Sequence, residues 1–252
     1  MKNSRDIEAL REGGKRLARI LATLGAEVKP GMSTKALDRR AEELVRAGGD
    51  DPVLLGYKPP FADRPYPATV CISVNDEIVH GIPSEKRILK EGDLVGFDLA
   101  MRHDGLIVDS AITVPVGKVD AVARKLISVA EEALVAGIAA AHGGNRVGDV
   151  SSAIHKVFKR YKLETPTELG GHGVGYKVHE DPEIPNVGRK GTGALLRSGM
   201  VIAIEPMVNE GTGKTHLAAD GYTVRTADGK RSAHVEHTIL ITDGAPEILT
   251  EL

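Results

Sequence analysis

The sequence predicts an α+β fold: apolar residues at helical spacing open the chain, short apolar strands with tight turns follow, and the same order then recurs. In residues 6–24, Ile7, Leu10, Leu17, Ile20, Leu21 and Leu24 share one helical face, and "KPG" ends the helix. "STKALDRRAEELVRAGG" predicts a second helix, with Ser33 or Thr34 as N-cap and glycines at its end. Residues 50–68, rich in Pro, Gly and Asp, predict a long loop. "ATVCISV" and "EIVHGIP" read as short strands, and a hairpin over Val95–Thr113 follows. Asp120 then caps an Ala-rich helix running to about Ala141, and another helix covers roughly 149–161. After the glycine-rich loop "GGHGVGYKVHEDP" come a strand over Gly199–Glu205 and a closing hairpin, "GYTVRTADGKRSAHVEHTILIT". Val150, Ile154, Val157 and Phe158 match Leu37, Ala41, Leu44 and Val45 at a constant offset of 113 residues, which hints at an internal duplication.

Composition narrows the function. Hydrophobic residues make up 41% and charged residues 27% of 252 positions, which is ordinary for a globular protein with a sizeable core. Aromatics are 3% and tryptophan is absent, so Val, Ile, Leu and Ala must fill that core. The net charge of −2 and the lack of a Lys/Arg run argue against direct contact with nucleic acid. One cysteine, Cys71, fits a reducing compartment. No apolar stretch reaches signal-peptide or membrane-spanning length, so a cytoplasmic protein is expected.

The informative anomaly is acid inside apolar strands. The stretch "VGFDLAMRHDGLIVDSAIT" carries Asp98 and Asp109 among residues that favour burial. An unpaired buried carboxylate costs several kcal/mol or is forced to take up a proton. If "DG" at 104–105 is a two-residue turn, Asp98 faces Ala111, Asp109 faces Ala100, and both acids lie on one face. A four-residue loop would set them directly opposite, still on one face. Later, "VIAIEP" ends on Glu205 and "HVEHTILIT" embeds Glu236. One such acid is usually structural; four would each need a buried partner, and no lysine or arginine lies in these runs apart from Arg102 near the hairpin turn. Bound divalent cations remove the difficulty by holding carboxylates ionised. His172 in "GGHGVG" is the best candidate for an added imidazole, since its glycines permit close approach.

Other motifs fail. "HEDPE" lacks the second histidine of a zincin, and no cysteine cluster suggests structural zinc. "GTGKT" at 211–215 has Val208 where a phosphate-binding loop needs its leading glycine. "GHGVG" opens no βαβ unit with a correctly spaced acid.

With these residues collected, the chain resembles the type I methionine aminopeptidases. The matching stretches, in family order, are "SVNDEIVHGIP", "FDLAMRHDGLIVDSAIT", "GGHGVGYKVHEDP", "IEPM", "DGYTVRT" and "VEHT". The resemblance implies the pita-bread fold: one catalytic domain over 1–252, with pseudo-symmetric halves of roughly 1–117 and 118–252. It implies removal of the initiator methionine from peptides and nascent chains when the next residue is small, by a metal-activated hydroxide at a dinuclear site. In that family Asp109 and Glu236 would bridge two divalent ions (Co, Mn, Fe or Zn), Asp98 would chelate one, and His172 and Glu205 would complete the other. Glu205 would shuttle the proton. His80 would contact the scissile nitrogen and His179 the carbonyl oxygen, while Cys71, Tyr66 and Tyr222 would line the methionine pocket. A monomer with transient ribosome association is expected. Val178, Tyr222, His234 and the longer loop around Tyr57 depart from the common bacterial pattern and touch the pocket wall. The nearest rival is a proline-specific peptidase of the same fold; a non-catalytic pita-bread binding protein would be expected to have lost ligands.

Overall fold

The computed structural model describes residues 2–60 and 62–252. Phe61, within the expected 50–68 loop, lies outside the described residues. Helix α1 (Ser4–Glu27) begins with a capping box: the Asn3 side chain accepts from the Asp6 amide, and Asp6 accepts from the Asn3 amide. Ser33 caps α2 (Thr34–Ala47), and Asp120 caps α3 (Ala121–Ala140). The fourth helix, α4, spans Val147–Tyr161. All four lie where their apolar periodicity predicts.

The strands of the first part are β1 (Asp51–Pro52), β2 (Cys71–Val74), β3 (Glu77–Val79), β4 (Leu94–His103) and β5 (Leu106–Pro115). After α4 come β6 (Gly170–Gly173), β7 (Glu180–Pro185), β8 (Val201–Ile204), β9 (Met207–Asn209) and β10 (Thr215–Leu217). The last are β11 (Val224–Thr226), β12 (Ser232–His234), β13 (His237–Leu240) and β14 (Glu247–Ile248). Every strand pair is antiparallel, as an α+β chain requires. β4 pairs with β5 along one edge and with β1 and β2 along the other. The largest sheet has five strands, in the order β14-β13-β8-β6-β7.

Two apolar clusters follow from this layering. Leu10, Leu17, Leu21 and Leu24 of α1 and Leu37 of α2 join Phe97, Leu99 and Val108 of the β4–β5 hairpin. Leu126 and Ala130 of α3 and Ile154 and Phe158 of α4 join Ile202, Ile204 and Ile239 of the five-stranded sheet. Among the described residues, no helix is long and apolar enough to cross a membrane.

Four local expectations need correction. The 50–68 segment is not wholly loop, because Asp51 and Pro52 pair with Arg102 and Met101. The strand expected over "EIVHGIP" stops at Val79, since His80 takes a left-handed backbone with φ 59°. "GGHG" is a strand, β6, rather than loop. Its glycines admit neighbours that a side chain would exclude: a methyl at Gly171 would overlap the Ala203 carbonyl, and one at Gly173 the Asp181 carbonyl. The expected closing hairpin also does not form. β11 pairs with β10 and β3, β12 with β9, and β13 with β8 and β14.

Candidate metal centre

The turn at 104–105 fixes the first pair of acids. Asp104 and Gly105 both have positive φ (46° and 84°), as a two-residue hairpin of the primed type demands. Asp98 is therefore opposite Ala111 and Ala100 opposite Asp109, so both acids lie on one face of the hairpin.

A row of hydroxyls then seats that face against the end of the chain. The Thr238 hydroxyl donates to the Asp109 carbonyl at 2.7 Å and accepts from the Asp109 amide at 3.0 Å. Ser110 Oγ donates to the Glu236 carbonyl at 2.7 Å. Thr113 Oγ1 donates to the His234 carbonyl at 2.6 Å and accepts from its amide at 3.0 Å. Ala111 and Glu236 also exchange backbone hydrogen bonds. This seam brings Asp109 and Glu236 together although 127 positions separate them in the sequence (236 − 109).

β6 and β8 bring the remaining groups. His172 is paired with Ala203, two positions before Glu205. One ligand atom each from Asp109, His172 and Glu236 all lie within 4.8 Å of one another. His172 Nε2 is 3.6 Å from Glu205 Oε1 and 4.0 Å from Asp109 Oδ2. Its Nδ1 faces the Gly173 carbonyl at 2.9 Å, so the proton of a neutral ring sits on Nδ1 and the Nε2 lone pair faces the acids.

Burial holds the carboxyls of this cluster toward their neutral forms. Burial raises the Asp98 carboxyl to about 6 and Glu205 to about 8. Burial, together with the neighbouring carboxylates, pushes Asp109 and Glu236 well above the usual range. Among the described residues, no lysine or arginine forms an ion pair with any of these acids. Asp109 Oδ1 and Glu236 Oε1 are buried without a hydrogen-bond partner, which a native core rarely tolerates. Orphaned carboxylate oxygens around a neutral imidazole fit divalent cations: Asp98, Asp109, His172, Glu205 and Glu236 supply the oxygen and nitrogen donors such ions take.

These groups line a cavity of about 100 Å³ with His80, His179, Cys71, Tyr66, Tyr222 and Val178. Tyr66 and Tyr222 meet edge to face with centroids 5.1 Å apart. The Tyr66 hydroxyl donates to the Gly81 carbonyl at 2.8 Å, and that of Tyr222 to the Arg64 carbonyl. Burial lowers His80 to about 4 and also lowers His179. The cavity opens onto a groove of about 1040 Å³ that shares His80, His172, His179 and Glu205 with it.

The sequence marks the loop around Tyr57 but gives no sign of Leu54 or Pro59 in the cavity wall. The Tyr57 hydroxyl meets His179 Nδ1 at 3.0 Å, and Leu54 and Pro59 complete the wall. All three come from the long loop, where no periodicity marks a side chain as inward. His234, expected at the pocket wall, is not among the residues that line the cavity; its Nε2 lies 3.5 Å from Glu205 Oε2.

The same architecture occurs in known proteins. The model of metallopeptidase family M24 matches residues 8–243. A methionine aminopeptidase of Aquifex aeolicus is 46% identical over 254 aligned residues, covering 99% of this chain and 98% of that one. Methionine aminopeptidase 1 of Bacillus subtilis is 41% identical, covering 100% and 98%. The crystal structure of a methionine aminopeptidase from Thermotoga maritima superposes with a TM-score of 0.95 at 39% identity, covering 100% and 98%. A prolidase from Pyrococcus furiosus shares the fold at a TM-score of 0.78 and 22% identity, covering 100% of this chain and 65% of that one. Fold and site together define a metal-dependent peptidase of the pita-bread type. The chain belongs to metallopeptidase family M24, in its methionine aminopeptidase branch.

Proposed function

We propose that the protein hydrolyses the bond after an N-terminal methionine when the second residue is small, acting as one catalytic domain with two divalent ions. The observation that carries this reading is a small cavity, walled by Cys71, Tyr66 and Tyr222, with an acid and imidazole cluster and an open groove beside it. The cavity accommodates one side chain, and the groove gives the rest of the peptide a way out.

Asp98, Asp109, His172, Glu205 and Glu236 would hold the ions. Bound there, divalent ions supply Lewis acidity toward the scissile carbonyl and make water acidic enough to attack near neutral pH. The chain's own groups do the rest. Glu205 accepts the proton of the attacking water and passes it to the departing nitrogen as the C–N bond breaks, releasing methionine and a shortened peptide. His80 and His179 are neutral at pH 7 because burial lowers both. The Tyr57 hydroxyl lies 3.0 Å from Nδ1 of His179, and in the tautomer where that hydroxyl donates, the ring proton sits on Nε2, the donor needed at the carbonyl oxygen. His80 supports the amide nitrogen.

The test is turnover of Met-Ala-Ser and Ala-Pro by chelated protein reconstituted with Co²⁺, Mn²⁺, Fe²⁺ or Zn²⁺. Methionine release from Met-Ala-Ser is expected, with little action on Ala-Pro, and Asp98→Ala and His172→Ala should each lower kcat/KM by at least about 10²-fold. Faster cleavage of Ala-Pro would overturn the reading, as would full turnover in chelator. Location in the cytoplasm, a monomeric state and transient contact with the ribosome accompany the proposal and are open to fractionation, sedimentation and ribosome pelleting.

A further inference from the structure

Lys2 precedes the first helix, yet only 4% of its side chain is exposed. A lysine buried to that degree needs a partner and a reason. Its ammonium lies 2.8 Å from Glu180 Oε2 and 4.0 Å over the Tyr176 ring. The other oxygen of Glu180 accepts from the Tyr176 amide at 2.6 Å and the Lys177 amide at 2.9 Å. One carboxylate thus ties together the turn that ends on His179.

The turn is shaped to receive this lysine. Gly175 has φ 138°, and a methyl there would overlap Lys2 Cε. Lys2 itself is held at both ends. Its amide donates to the Gly199 carbonyl at 3.3 Å, and the Asn3–Asp6 capping box follows directly. Asp6 Oδ2 also accepts from the Tyr176 hydroxyl at 2.6 Å, so the cap of α1 grips the same turn. On the opposite side, the Ile107 amide donates to the Gly175 carbonyl at 2.7 Å.

From these contacts we infer that Lys2 is a positioning residue for the reaction: through Glu180 it sets the 175–180 turn so that His179 and Val178 keep their places in the cavity wall. This rests on the role given to His179 above. Lys2 lines neither cavity nor groove, whereas its partners Glu180 and Tyr176 lie along the groove. Its influence travels through one ion pair and one peptide bond to the His179 ring, which packs 4.5 Å from His172 and meets Tyr57. A turn released from Lys2 would keep its backbone connections but let the imidazole wander, and small misplacement of a transition-state donor is costly.

The experiment compares Lys2→Met, which keeps the buried stem without the charge, with Lys2→Arg, which keeps the charge. Both are measured as metal-loaded full-length protein on Met-Ala-Ser, with metal affinity and Tm recorded alongside. Lys2→Met is expected to lower kcat by about tenfold with KM and metal affinity changed less than about twofold, and Lys2→Arg to restore most of the loss. In a His179→Ala background, Lys2→Met should add no further loss, because both act through one imidazole. Wild-type kcat in Lys2→Met, a full additional loss in the His179→Ala background, or a loss of metal affinity matching the loss of kcat would each overturn the positioning role. Inactivity of the wild-type protein on Met-Ala-Ser would instead overturn the functional reading.

Discussion

Glu205 carries its carboxyl at about 8 and Asp98 at about 6 because burial favours the neutral form. The sign of the pH dependence follows. Acids whose folded pKa is raised stabilise the metal-free protein below their unfolded values, and that contribution is lost as pH rises through about 6 and then about 8. Cations need these groups ionised, so binding must displace protons. Calorimetry with Mn²⁺ in two buffers of different ionisation enthalpy should detect proton release at pH 7. Apparent affinity should rise by about tenfold per pH unit for each proton displaced. An affinity that is flat from pH 6 to 8 would mean the acids are already ionised, and the account of the cluster would fall.

Single side chains were the most legible part of the molecule. Asp98, Asp109, Glu205 and Glu236 stand out because a charge inside an apolar strand violates a strong rule, and violations are visible without a partner in view. Tyr57 gave no such signal, since a tyrosine in a Pro-rich loop breaks nothing. His234 sits in a strand where an imidazole is unremarkable until Glu205 is seen beside it.

Pairing between strands was legible only where the turn is local. Asp104-Gly105 dictates the β4–β5 register, and the expected partners Asp98–Ala111 and Ala100–Asp109 are those observed. β6 is hidden in the sequence because glycine carries no alternation, and the partners of β11, β12 and β13 are hidden because strands of three or four residues specify no register. What joins β5 to β13 is a set of hydroxyls, and Thr238 is the clearest. Replacing it by valine preserves shape but leaves the buried amide and carbonyl of Asp109 without their side-chain partner. We expect Thr238→Val to cost about 2 kcal/mol in urea unfolding and to weaken Mn²⁺ binding, with Thr238→Ser close to wild type. An unchanged metal affinity in Thr238→Val would show that the seam does not position Asp109.

At the scale of the whole molecule, the acids lie where the β4–β5 hairpin meets the strands near the end of the chain, and neighbouring carboxylates disfavour one another's ionised forms. Metal binding should therefore be felt as global stability. At free metal one hundred times Kd, the gain is about 2.7 kcal/mol per site, or roughly 5–10 °C in Tm for a chain of this size. Differential scanning calorimetry before and after chelation measures it directly, and a Tm indifferent to chelator would separate the cluster from any metal role.

The seam between β5 and β13 also has a bearing on synthesis. Asp98 and Asp109 leave the translating ribosome early, whereas Glu236 follows more than a hundred residues later. A partly made chain holds half a cage, so metal capture and the onset of activity must wait until the strand bearing His237 has emerged and docked. A peptidase assembled by this geometry is idle for most of its own synthesis.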